Sequence, residues 1–92
     1  MATILARIKQ RVRDGNYVIT DHCQDELEKD FFSGLDAVAA TLNASEFDRL
    51  TSDESPVRYV VFGVARDGRD LNVVVFLQQS TVVLKTAYES YS

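Results

Sequence analysis

Cysteine, histidine, proline and tryptophan are scarce in this chain. One cysteine, Cys23, leaves no internal disulfide to form, so whatever fold exists must be held by packing and hydrogen bonds. A lone thiol also fits a reducing compartment, and the expected location is cytoplasmic. One histidine, His22, argues against a metal centre, because structural and catalytic sites ordinarily gather three or four ligands. No apolar run approaches the ~18 residues that a membrane helix needs, and no apolar core of a signal peptide follows the first basic residues. The four glycines are scattered, so no Gly-rich phosphate loop is present and no cofactor is expected. What remains is a chain of 92 residues, 46% hydrophobic, enough for one modest core and one domain over 1–92.

The net charge of −4 is unevenly spread. Residues 1–13 carry Arg7, Lys9, Arg11 and Arg13 and no acid. All of the 14 acids except Asp67, Asp70 and Glu89 fall between 14 and 54. A nucleic-acid footprint would have to be local, on the first helix or on the C-terminal strands, because the middle third repels phosphate.

Ile4, Leu5, Ile8 and Val12 recur at helical spacing and predict an amphipathic helix over 2–13, stopped by Asp14-Gly15-Asn16. Tyr17 to Thr20 reads as a short extended stretch. Thr20 or Asp21 offers an N-cap for a helix over 22–30, with Cys23, Leu27 and Phe31 as its buried edge. Ser33 and Asp36 outline a capping box for a third helix over 34–43, with Leu35, Val38, Ala39 and Leu42 on one face. Residues 45–56 read as a weak edge strand and a turn at Asp53 to Pro56. Strands over 57–65, 70–78 and 81–88 follow. Asp67-Gly68 between the first two predicts a two-residue hairpin turn, pairing Arg66 with Arg69, Val64 with Leu71 and Gly63 with Asn72. The expected architecture is α+β, with three N-terminal helices packed on an antiparallel sheet of three to four strands. Both faces of the hairpin are apolar in this reading. Either helices cover both, or one face meets a partner.

Thr20-Asp21-His22, Gly68-Arg69-Asp70-Leu71 and Thr86-Ala87-Tyr88 carry a resemblance. With Cys23, Glu26 and Leu27 they are similar to the T-x-H-A-x-x-R-M, G-R-P-L-H-V-V-V and I-T-A-Y motifs of a bacterial domain-of-unknown-function family (four-two-five-eight). That family's layout is similar to the RelE and MqsR type of mRNA-cleaving toxins. The resemblance implies a RelE-like fold, RNA as a ligand, metal-independent endoribonuclease activity and an antitoxin-like protein partner. Glu26 and Asn72 stand where the family pattern has arginine and histidine.

RNA cleavage without a metal needs a base, an acid and cations around the phosphorane. His22 is the one imidazole available as a base. Arg69 and Lys85 would supply charge, and Tyr88 would stack on a base or donate a proton. Arg66 and Asn72 would hold RNA. Each also has an ordinary structural use: His22 at a strand-to-helix turn, Arg66 and Arg69 as a solvated pair at a hairpin tip, Lys85 as an edge guard, and Tyr88 in packing. The rival reading is a non-catalytic interaction domain of the same fold that forms a homodimer or binds a protein partner.

Overall fold

The computed structural model describes residues 3–50 and 56–90. The predicted turn at Asp53 to Pro56 lies largely outside them. The elements in chain order are α1 (Ile4–Arg13), β1 (Tyr17–Ile19), α2 (Asp21–Lys29), α3 (Gly34–Asn43), β2 (Glu46–Arg49), β3 (Arg58–Val64), β4 (Asp70–Gln78) and β5 (Thr81–Glu89). No helix among the described residues is long and apolar enough to cross a membrane.

The chain is α+β, but its sheet differs from the expected one. It has five strands in the order β1-β5-β4-β3-β2, and it is mixed, because β1 runs parallel to β5. Tyr17, Val18 and Ile19 pair with Val82, Val83 and Leu84. The three- to four-stranded antiparallel expectation fails for a physical reason. Antiparallel neighbours announce themselves through local turns, whereas a parallel pair joins segments far apart in sequence and leaves no local mark. Thr20 locks this junction. Its Oγ1 accepts from the Cys23 N–H at 3.1 Å as the N-cap of α2, and its hydroxyl faces the carbonyls of Leu84 and Lys85 at 3.3 and 3.0 Å.

The β3–β4 hairpin also differs. Ala65 pairs with Arg69 through an N–H to O bond of 2.8 Å, so Arg66, Asp67 and Gly68 form a three-residue loop. Gly68 sits at φ +92°, the left-handed position such a loop needs, and the Gly68 N–H closes the turn on Ala65 O at 3.0 Å. The register is therefore Val64 with Asp70, Gly63 with Leu71, and Phe62 with Asn72. A slip of one residue reverses which side chains share a face.

All three helices pack on one face. Ile8, Val12, Cys23, Leu27, Phe32, Ala37 and Ala40 join Val61, Leu71, Val73, Val75, Val82, Leu84 and Ala87 in one buried cluster. Two helical expectations change. Helix α2 ends at Lys29, and Phe31 follows at φ 63° as a left-handed C-terminal residue. Phe31 is consequently 90% exposed, and Phe32 enters the core instead. Helix α3 turns Asp36, Ala37, Ala40 and Thr41 inward, while Leu35 is 60% exposed. The cause is Gly63. A Cβ there would overlap the Ala40 carbonyl, so α3 lies directly on β3 and small residues fit the contact. Val38 and Leu42 flank it, partly buried.

Candidate functional site

The opposite face of the sheet carries no helix from the described residues. Alternation and register assign its members. Arg58, Val60, Phe62 and Val64 of β3 stand beside Phe76, Val74, Asn72 and Asp70 of β4 in that order. Val83, Thr86 and Tyr88 of β5 continue the face, with Val18 of β1 beyond them. Glu46 and Asp48 of β2, paired with Phe62 and Val60, border it on the other side. None of these apolar residues belongs to the cluster under the helices. Val18 is 52% exposed, Tyr88 45% and Val64 38%. Phe62 and Phe76 are half-buried, and Val60, Val74 and Val83 are buried.

A β-bulge shapes the middle of this face. Val74 pairs with Thr86 and Val75 with Leu84, so Lys85 is the extra residue. Leu84 and Ala87 both point into the core. The two residues between them, Lys85 and Thr86, therefore both lie on the outer side.

The six residues singled out from the sequence divide into three groups. Lys85, Tyr88 and Asn72 share the outer face, with Asn72 directly opposite Tyr88. His22 is exposed in the first turn of α2, two residues after the Thr20 that meets the Lys85 carbonyl. Arg66 and Arg69 lie on the helical side and are bound into the fold.

Arg69 holds the end of α2. It donates from Nε to Asp67 Oδ2 at 2.7 Å, from one terminal nitrogen to the Asp30 carbonyl at 2.9 Å and from the other to the Phe31 carbonyl at 3.2 Å. Its guanidinium carbon lies 3.9 Å from the centre of the Phe32 ring, and Glu89 approaches to 3.6 Å. The hydrogen bond to Asp67, outweighing the effect of burial, pushes the Arg69 pKa up with help from the nearby carboxylates. This is a helix C-cap made by an arginine from a distant hairpin.

Arg66 serves the start of α3 in the same way. Its backbone N–H and Nε both donate to Asp36 Oδ1 at 3.1 Å, and a terminal nitrogen donates to Ser33 Oγ at 3.0 Å. Asp36 Oδ2 accepts from the Ser33 N–H at 2.9 Å, closing the predicted capping box. Burial alone would raise the Asp36 pKa. The hydrogen bonds from Ser33 and Arg66, with the guanidinium charge, overcome that and hold the carboxyl below its usual range.

Gly63 gives no room to a ligand, because Ala40 of α3 fills the space above it. The outer end of β3 is closed by a side chain. Asn43 Nδ2 donates to Val64 O at 2.8 Å and the Val64 N–H donates to Asn43 Oδ1 at 2.9 Å, standing in for one further strand residue. Among the described residues, no three His, Cys, Asp or Glu side chains converge as metal ligands.

A two-residue turn would set Asn72, Val74 and Phe76 beside Gly63, Val61 and Tyr59, whereas the observed register sets them beside Phe62, Val60 and Arg58, and Val18 and Asp48 join the same surface without a local mark. The signal for the observed register was present, since Asp-Gly also suits the last two places of a three-residue loop, and that register yields this face. Compared with known proteins, the chain matches no family model, no curated protein and no solved structure.

Proposed function

We propose that this chain is a protein-interaction domain that meets another protein chain through the outer face of its sheet. One observation carries the reading: all three helices lie on one side, leaving Val18, Phe62, Val64, Phe76 and Tyr88 without a helical cover among the described residues. Apolar patches of this extent mark association surfaces more often than they stay in contact with water. Each of these side chains is already about half-buried, so covering one contributes on the order of 1 kcal/mol, and several must be covered together for association.

A photocrosslinking amino acid at Phe76 tests this inside cells, with the same group at Glu28 on the helical side as control. A protein adduct from position 76 and none from position 28 is expected. No adduct from position 76 overturns the proposal.

A second reading, metal-independent RNA cleavage, has one observation in its favour. Asn72, Lys85 and Tyr88 share the outer face with Phe62 and Phe76, and aromatic rings on a sheet can stack bases. It ranks second because Arg66 and Arg69 are engaged with Asp36, Asp67 and the α2 carbonyls. Incubation of the purified protein with RNA tests it, and cleavage undiminished in His22→Ala, Lys85→Ala and Tyr88→Phe would exclude these residues from any reaction.

A further inference from the structure

We propose that the chain covering the outer face is a second copy of this one. The two sheets pack face to face about a two-fold axis running along the strands between β3 and β4, and Lys85 of each copy meets Asp48 of the other. This rests on the reading of the outer face as a protein-binding surface and names its occupant.

The register supplies the geometry. Asp48, Val60, Val74 and Thr86 lie in one row across the sheet, with Lys85 beside Thr86 in the bulge. The next row is Glu46, Phe62, Asn72 and Tyr88. Rotation about an axis along the strands keeps each row at its own level and reverses its left and right. With the axis between β3 and β4, Val60 lies over the second copy's Val74, and the strand bearing Lys85 lies over the strand bearing Asp48. In the next row the Tyr88 hydroxyl faces the Glu46 carboxylate and can donate to it. Stacked sheets lie roughly 10 Å apart, a gap that a lysine and an aspartate together can bridge.

Charge selects this arrangement. The β2 margin carries Glu46 and Asp48, and the β5 side carries Lys85, while Arg58 and Asp70, at opposite ends of the central strands, lie over Phe76 and Val64 of the second copy and meet no like charge. A two-fold axis across the strands would instead lay each β2 on its own copy and oppose like charges, which disfavours association. Area is consistent with a pair. About thirteen outward positions face the second copy, and at roughly 32 Å² each they project on the order of 400 Å². That is below the ~800 Å² per partner of a standard interface and suits a weak pair that forms with rising concentration.

Sedimentation equilibrium of the purified full chain tests the proposal, with circular dichroism confirming that each variant is folded. The wild type should pass from monomer to dimer with concentration. Lys85→Asp and Asp48→Lys should each weaken the dimer by about tenfold or more, since both create two like-charge contacts. The double variant should return to within about threefold of wild type, because the exchanged charges pair again. A wild type monomeric throughout overturns the inference, as do single variants that leave the dimer unaffected or a double variant that does not recover. A Phe76 adduct with a mass other than twice that of the chain, together with a monomeric wild type, overturns the second copy and leaves the interaction reading standing. No adduct at all overturns both.

Discussion

Replacing Gly63 by alanine probes the contact that sets the whole helical layer. Gly63 lies in β3 with ordinary extended backbone, so no left-handed conformation protects it from substitution. In an open strand the change would stabilise the protein by about 0.5–1 kcal/mol. Here the added methyl overlaps the Ala40 carbonyl oxygen and lies 2.8 Å from Ala40 Cα. The obstacle is backbone and has no rotamer to change, so α3 must lift from the sheet. That loosens Ala37, Ala40, Thr41 and Ala44, all fully buried. Overpacking of this kind costs typically 1–3 kcal/mol, and a backbone clash belongs at the upper end or above. The net loss should be about 2 kcal/mol or more, a large share of the stability of a small domain. Thermal unfolding should shift down by about 8–16 °C. The control is Gly15→Ala, where φ is +83° but nothing lies within 4 Å of the new Cβ. Its cost should stay near 1–2 kcal/mol from conformation alone. Urea unfolding of both variants gives the comparison. Gly63→Ala as stable as wild type, or more stable than Gly15→Ala, would refute the claim that α3 rests directly on β3.

Three other outcomes follow from named residues. Phe31→Gly should raise stability by about 1 kcal/mol, because glycine adopts the left-handed C-terminal position freely and the exposed ring loses little burial; a lower unfolding midpoint in urea would contradict this. Asp36 has a folded-state pKa below its ordinary 3.8, so its contribution is full above that value and is lost as pH falls through the lower folded value. Asp36→Asn should therefore cost about 1–3 kcal/mol at neutral pH and flatten the acid limb of the stability curve below about pH 4; an acid limb unchanged from wild type would place the titrating group elsewhere. The Cys23 thiol is pushed up to about 11 by burial, with a smaller effect of the Glu26 charge. At pH 8 a thiol reagent should modify the native protein far more slowly than the unfolded one, and equal rates measured by absorbance would show that Cys23 is accessible.

Local patterns in the sequence carried much of this fold. The stripe of Ile4, Leu5, Ile8 and Val12 marked α1, Ser33 with Asp36 marked the start of α3, and the β-branched runs marked β3, β4 and β5. The failures share one cause, which is contact between residues far apart in the chain. Parallel pairing of Tyr17–Ile19 with Val82–Leu84 has no local sign. The inward face of α3 was set by a glycine more than twenty residues later, so large side chains at helical spacing pointed to the wrong stripe. Helix periodicity carried past Lys29 to Phe31, though the chain turns there and buries Phe32. For the site, Arg66 and Arg69 looked available because their partners, Asp36 and the Asp30 and Phe31 carbonyls, lie more than twenty residues away in the sequence. The apolar second face was legible as a need for cover. Its membership depended on a one-residue register that Asp-Gly leaves ambiguous.

Hydroxyl-radical footprinting in cells, set against the same protein dilute and purified, tests the central claim most directly. Oxidation of Phe62, Phe76 and Tyr88 should fall severalfold inside the cell while Phe31, on the other side of the molecule, stays equally reactive. Equal labelling of all four rings in both settings would mean that no chain lies against the sheet.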